Sequence, residues 1–188
     1  MIFGHMGVVA ALRATIRRPG GSYALMAMCV VAVLPDVLDV FYFVTGICSP
    51  FGLYSHTIPA ILLQGAVTGG LALLITDSLW LTLAFALLLP LHLAADFFTM
   101  RKLLWPGGEL VGLNLYNHSA LDLLLEVPVI AGGWWLLRRS GRGPSWAVGR
   151  GVLVAALVGQ FSFDAYGFIS NRHIKPSTCR SAEPVTVR

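Results

Sequence analysis

The sequence predicts an all-α, polytopic membrane helix bundle of about six helical segments with a metal site at one end. Three observations carry that expectation. Of the 188 residues, 56% are hydrophobic and only 12% are charged, and the mean hydropathy is +0.76; a soluble domain carries about 25% charged residues. The apolar residues gather into runs near the length that crosses a bilayer, roughly 20 residues. Within or beside those runs stand His5, Asp36, Asp39, His56, His92, Asp96 and His118. An ionisable side chain in a hydrocarbon span costs about 2.5–3.5 kcal/mol on insertion scales, so its presence signals a function and a partner.

The elements follow in order. A first helix over about 4–17 stops at Arg17-Arg18-Pro19-Gly20-Gly21. A second covers about 22–34, where Pro35 disfavours helix at Leu34. A short apolar stretch at about 37–47 ends near Gly46 and Pro50. The third helix, about 57–75, closes at Thr76-Asp77-Ser78, with Asp77 or Ser78 capping the next. The fourth spans about 79–99 and is expected to bend at Pro90. After a loop containing Trp105-Pro106-Gly107-Gly108, a fifth helix runs over about 119–138 to Arg138, Arg139 and Arg142. The last covers about 148–170. These later helices are long enough to span; the first two are shorter and fit a hairpin entering the bilayer beside them. Gly69-Gly70 and Gly132-Gly133 read as close helix packing, and Trp105, Trp134, Trp135 and Trp146 as interfacial belts.

The whole forms one membrane-embedded domain over about 1–171, with a polar tail over about 172–188 that lacks an apolar period. The expected surroundings are the lipid bilayer of the cell (inner) membrane, crossed several times. The net charge of +4 and pI near 9.3 come from basic residues at the ends of apolar segments, so no nucleic-acid partner is expected. Arg13, Arg17 and Arg18 follow the first apolar stretch, which is not a signal-peptide layout. Cys29, Cys48 and Cys179 form no CxxC pair and no ligand spacing.

If each helix reverses direction, His5, Asp36, Asp39, His56, His92, Asp96 and His118 fall at one end of the bundle. Arg17, Arg18, Asp77, Arg138, Arg139, Arg142 and Arg150 gather at the other. The positive-inside rule then leans toward a site facing out of the cytoplasm.

His92-Leu-Ala-Ala-Asp96 is the sharpest local signal, because a spacing of four stacks imidazole and carboxylate on one helical face. That pair suits a divalent metal such as zinc; the alternative is a structural His–Asp hydrogen bond. Leu34-Pro35-Asp36-Val37-Leu38-Asp39 places two carboxylates at i and i+3, able to ligate or bridge, with Asp36 alternatively an N-cap. In Tyr54-Ser55-His56-Thr57, His56 can ligate while Ser55 caps the helix that follows. His118, Asp122 and Glu126 form a stripe at i, i+4 and i+8. One of its carboxylates can be a ligand, a partner to an imidazole or a general base, or the stripe can knit helices together, as can Asp164. His5 alone is unremarkable and gains weight from sharing the site end. No GxSxG, HExxH, phosphate loop or glycine fingerprint is present.

The ordered set Gly4-His5, Leu34-Pro35-Asp36 with Asp39, Ser55-His56-Thr57, His92-x-x-x-Asp96 with Thr99, and Leu104-Trp105-Pro106 resembles the LexA-regulated, membrane-bound, predicted metal-dependent hydrolases, themselves distantly similar to zinc-dependent phospholipase C. The resemblance covers about residues 4–126. That family often has a His where Phe51 and Gly52 stand and an Asp-x-Asp-His where this chain has Asp36-x-x-Asp39.

The resemblance and the residues together lead to a membrane-embedded, metal-dependent hydrolase, with zinc as the divalent metal and a phosphoester or lipid-linked substrate. Metal ligands are expected among His5, Asp36, His56, His92, Asp96 and His118. Asp39 would bridge or support them, and Asp122 or Glu126 would move the proton. An ion- or proton-coupled transporter or permease is the alternative, because intramembrane His and Asp also mark ion paths; the absence of an internal repeat speaks against it. A structural protein stapled by its metal is the third reading.

Overall fold

The computed structural model describes residues 2–16 and 21–170. The fold is all-α. Helices α1 (Ile2–Thr15), α2 (Gly21–Ala32), α3 (Leu34–Thr45), α4 (Ile58–Thr76), α5 (Leu79–Thr99), α6 (Ser119–Ser140) and α7 (Arg150–Ser170) follow the expected segments. The polar tail over 172–188 and the Arg17-Arg18-Pro19-Gly20 stop lie outside the described residues.

Three helices, Ile58–Thr76, Leu79–Thr99 and Ala120–Ser140, are long and apolar enough to cross a membrane, and the bent pair α2–α3 makes a fourth candidate. At most 39% of any of those three spans is buried within the protein. The rest is an apolar surface: Leu62, Leu63, Leu74 and Ile75 on α4 and Leu124 on α6 are all exposed. A soluble monomer rarely shows apolar patches on this scale, and a membrane-crossing helix presents such a face to lipid.

Two expectations about local structure are corrected. The stretch after Pro35 is a full helix, α3, that begins at Leu34 with the proline in its first turn. Proline is tolerated there because the first-turn N–H groups lack intrahelical partners anyway. The break from α2 is a 51° bend. Val33 therefore holds the N-cap position and Asp36 sits inside the first turn, so Asp36 is no cap. Likewise Thr57, not Ser55, is the N-cap of α4. Ser78 does precede α5 as its N-cap, though its side chain makes no capping bond, while Asp77 closes α4 in the left-handed conformation.

Helix pairing follows the glycines only in part. Gly69 packs against Ala86 of α5, with Gly65 beside it, and α4 and α5 form one tight pair. Gly133 meets the Gly7 carbonyl, and Gly7 in turn meets the backbone of Val129 and Ile130, making α1 and α6 the other pair. Gly70 and Gly132 face open space, so each expected pair of glycines contributes one packing residue. Met28, Leu88, Leu89 and Val9 fill the core between α1, α2 and α5.

One feature went unread in the sequence. After α5 the chain forms a small antiparallel hairpin, β1 (Lys102–Leu103) with β2 (Leu110–Val111). It is tied to the bundle by Ile58 N–H donating to the Leu104 carbonyl at 2.9 Å and Leu113 N–H donating to the Phe97 carbonyl at 2.8 Å.

Candidate metal centre

Three segments meet at one end of α5. The first turns of α3 bring Asp36 and Asp39, α5 brings His92 and Asp96 one turn apart, and the connector before α4 brings His56. The connector is shaped for this: His56 N–H donates to the Gly52 carbonyl at 2.8 Å. Gly52 has φ +77°, and a Cβ there would stand 2.8 Å from His56 Nδ1. Only glycine accommodates both the conformation and the ring.

Four donor atoms, one each from Asp36, His56, His92 and Asp96, all lie within 4.8 Å of one another. His56 Nε2 is 3.1 Å from His92 Nε2, 3.4 Å from Asp36 Oδ1 and 3.3 Å from Asp96 Oδ2. His92 Nε2 is 3.8 Å from Asp36 Oδ1 and 3.5 Å from Asp96 Oδ2. Ligands placed about 2.0–2.1 Å from a tetrahedral ion stand roughly 3.3–3.4 Å apart. Five of the six separations among the donors thus lie within about 0.5 Å of the edge of such a tetrahedron. Both Asp96 oxygens are buried without a hydrogen-bond partner, whereas buried polar atoms ordinarily find one. The group can hold a metal ion.

The surrounding contacts orient the donors. His92 Nδ1 donates to the Ala32 carbonyl at 2.7 Å, a group at the end of α2 that its own helix leaves free. That fixes the tautomer with Nε2 as the free donor atom. His56 Nδ1 faces Ser55 Oγ at 2.8 Å and Asp39 Oδ2 at 3.3 Å, and Ser55 in turn donates to Asp39. Asp39 thus supports His56 from behind. Since losing such a partner typically costs 10–100-fold in affinity, Asp39→Ala is expected to weaken ion binding by about that factor in a metal titration. His5 stands beside the four: its ring stacks on His92 with centroids 4.0 Å apart, and Nε2 lies 3.6 Å from the second Asp96 oxygen.

Burial disfavours the His56 imidazolium, but Asp36, Asp39 and Asp96 outweigh it and carry the pKa up to about 10 when no ion is present. An entering ion must then displace that proton. Apparent affinity is expected to rise about tenfold per pH unit between pH 6 and 8, because one bound proton is exchanged per ion. Titrations in detergent across that range check it, and a flat profile would contradict the competition.

The remaining expected residues are placed elsewhere. His118 is exposed at the start of α6 and makes no side-chain hydrogen bond or ion pair among the described residues. Asp122 and Glu126 are fully buried on α6, and neither carboxylate has a side-chain hydrogen-bond partner among the described residues. They interact electrostatically with Asp164 of α7, forming an acidic cluster apart from the four donors.

Sequence reasoning places Lys102 on the site side of the bundle but gives it no role there. Its ammonium lies 3.3 Å from His56 Nε2, 3.4 Å from Asp39 Oδ2 and 4.0 Å from Asp96 Oδ2. Comparison with family models, curated proteins and solved structures found no match.

Proposed function

We propose that this chain is a membrane-embedded, divalent-metal-dependent hydrolase of the cell membrane, with zinc as its ion. The carrying observation is the convergence of Asp36, His56, His92 and Asp96, whose donor atoms all lie within 4.8 Å of one another. Two imidazoles and two carboxylates at that spacing suit zinc better than magnesium or calcium, which want six or more oxygens. Charge points the same way: Asp36, Asp39 and Asp96 against Lys102 leave two negative charges, which one divalent ion balances. When bound, such an ion supplies Lewis acidity and acidifies a water to a pKa of about 7.

Access supports chemistry at the site. The His56, His92 and Asp96 side chains are sealed, whereas Asp36 and Asp39 are 28% and 29% exposed. Asp36 is thus the edge where a water and a substrate can arrive. The resemblance to predicted metal-dependent hydrolases and the anion-attracting Lys102 favour a phosphoester or lipid-linked phosphate as substrate. The donors gather near the C-terminal end of α5, in contrast to the midplane site of a transporter, and the arginine distribution favours a site facing out of the cytoplasm.

A structural metal staple is the second reading, favoured by one observation: the group offers four protein donors, the number that closed structural sites use. Metal analysis of detergent-purified protein, paired with hydrolysis of bis(p-nitrophenyl) phosphate, separates the two. Hydrolysis should require the ion and fall in Asp36→Asn. Stoichiometric ion without hydrolysis of this ester or of lipid phosphates, and with a chelator-induced loss of thermal stability, would replace the hydrolase by the staple. No ion after chelator-free purification and resupply would remove both and favour proton- or ion-coupled transport.

A further inference from the structure

Among the described residues, Lys102 is the one lysine or arginine against the donor group. The β1–β2 hairpin fixes its backbone between the end of α5 and the start of α4, through Leu104 and Leu113. Any movement of its charge must therefore come from the four-carbon stem. Its ammonium lies 3.3 Å from His56 Nε2, an atom on the tetrahedron's own edge. An ammonium and a divalent ion repel strongly at such separations in a buried site. Both cannot keep that place. The open side of the group is at Asp36 and Asp39, which are partly exposed, and Lys102 already reaches Asp39.

Resting on the metal-dependent reading above, we propose that Lys102 is a resident counter-cation. It balances the carboxylates of the ion-free site, yields its place at His56 to the divalent ion, and then holds an anionic phosphate oxygen of the substrate at the open edge. This makes Lys102 a substrate-binding residue as well as a brake on ion affinity. The two roles predict opposite effects of one substitution, which a merely structural lysine would not produce.

The test compares wild type, Lys102→Met and Lys102→Arg, each purified whole in detergent. Zinc affinity is measured by competition with a chromophoric chelator. Binding of inorganic phosphate to the zinc-loaded protein is measured by calorimetry, and of phosphatidic acid by the same protein in nanodiscs. Removing the charge should tighten zinc binding about tenfold and weaken phosphate binding at least about tenfold, while Arg stays near wild type in both. Retention of phosphatidic acid but not inorganic phosphate by wild type would identify the lipid as the source of the phosphate; the reverse would identify a soluble ester. Unchanged or weaker zinc binding by a folded Lys102→Met would overturn the counter-cation role. Tighter zinc with unchanged phosphate binding would overturn the substrate role. Failure of wild type and both variants to bind zinc, with all three folded, would instead remove the metal-dependent reading itself.

Discussion

Asp96→Ala is expected to reduce ion binding from about one per chain to none measurable, a loss beyond the 10–100-fold that outer partners cost. The Asp96 carboxylate faces three imidazoles at once. Its Oδ2 lies 3.3 Å from His56 Nε2 and 3.5 Å from His92 Nε2, and its Oδ1 faces His5 at 3.6 Å. The carboxylate is fully buried and no hydrogen bond competes for it. Alanine leaves three imidazoles packed together without the one fully buried carboxylate that faces all of them. Breaking a buried charge pair by removing one partner costs about 3–5 kcal/mol, so the variant should also melt lower in the ion-free state. Asp96→Asn separates the two effects: it keeps the shape, removes the charge and should lose the ion with a smaller loss of stability. His118→Ala supplies the contrast. That exposed side chain pairs with nothing among the described residues, and surface changes of this kind stay within about 0.5 kcal/mol, or roughly twofold in affinity. Metal analysis and thermal unfolding of the three variants check the set. Ion retained by Asp96→Ala, or lost by His118→Ala, would mean that the tetrahedron is not the site.

The core of this centre was legible because hydrocarbon makes charge informative. His92 and Asp96 stand in an apolar run at the helical spacing of four, and no solvated face of a membrane helix explains them. His5, Asp36 and His56 joined them through chain reversal, since they lie at alternating ends of successive segments, together with the local motifs around Asp36 and His56 and the resemblance for His5. Lys102 was not legible for the converse reason. Basic residues near span ends are commonplace anchors, and the strands that carry Lys102 inward are two residues each, too short for an alternating pattern. Ser55 misled because a serine before an apolar run usually caps a helix; here it is spent on His56 and Asp39. The bend after Ala32 was visible in Pro35, but the resumption of helix at Leu34 was not: proline stops one helix and starts another with equal ease. The stripe of His118, Asp122 and Glu126 shows the limit of periodicity. It put three residues on one face, but which neighbour that face meets is set by the pairing of α6 with α1 and α7.

That pairing yields the second large effect, and two adjacent glycines test it. Gly133→Val is expected to destabilise the protein strongly, whereas Gly132→Ala is expected to be neutral or better. A Cβ on Gly133 would lie 2.0 Å from the Gly7 carbonyl oxygen and 2.9 Å from its Cα, while one on Gly132 meets nothing within 4 Å. The obstruction is backbone, so no side chain can rotate away; α1 must move off α6. Gly7 cannot absorb that movement, because a Cβ in its place would already lie 2.5 Å from the Val129 carbonyl. Helices in lipid gain no hydrophobic free energy by associating, so close backbone packing carries much of their adhesion. Overpacking a tight contact costs about 1–3 kcal/mol, and a backbone clash belongs at the upper end. The damage should also travel. His5 lies on α1, just before Gly7, stacked on His92 and facing Asp96; displacing α1 withdraws it from the donor group and should weaken ion binding too. Gly132→Ala keeps α1 in place and raises helix propensity by up to about 1 kcal/mol. Thermal unfolding and metal titration of the two variants should therefore diverge in both readouts, and parallel behaviour would show that α1 is not held to α6 by the Gly7–Gly133 contact.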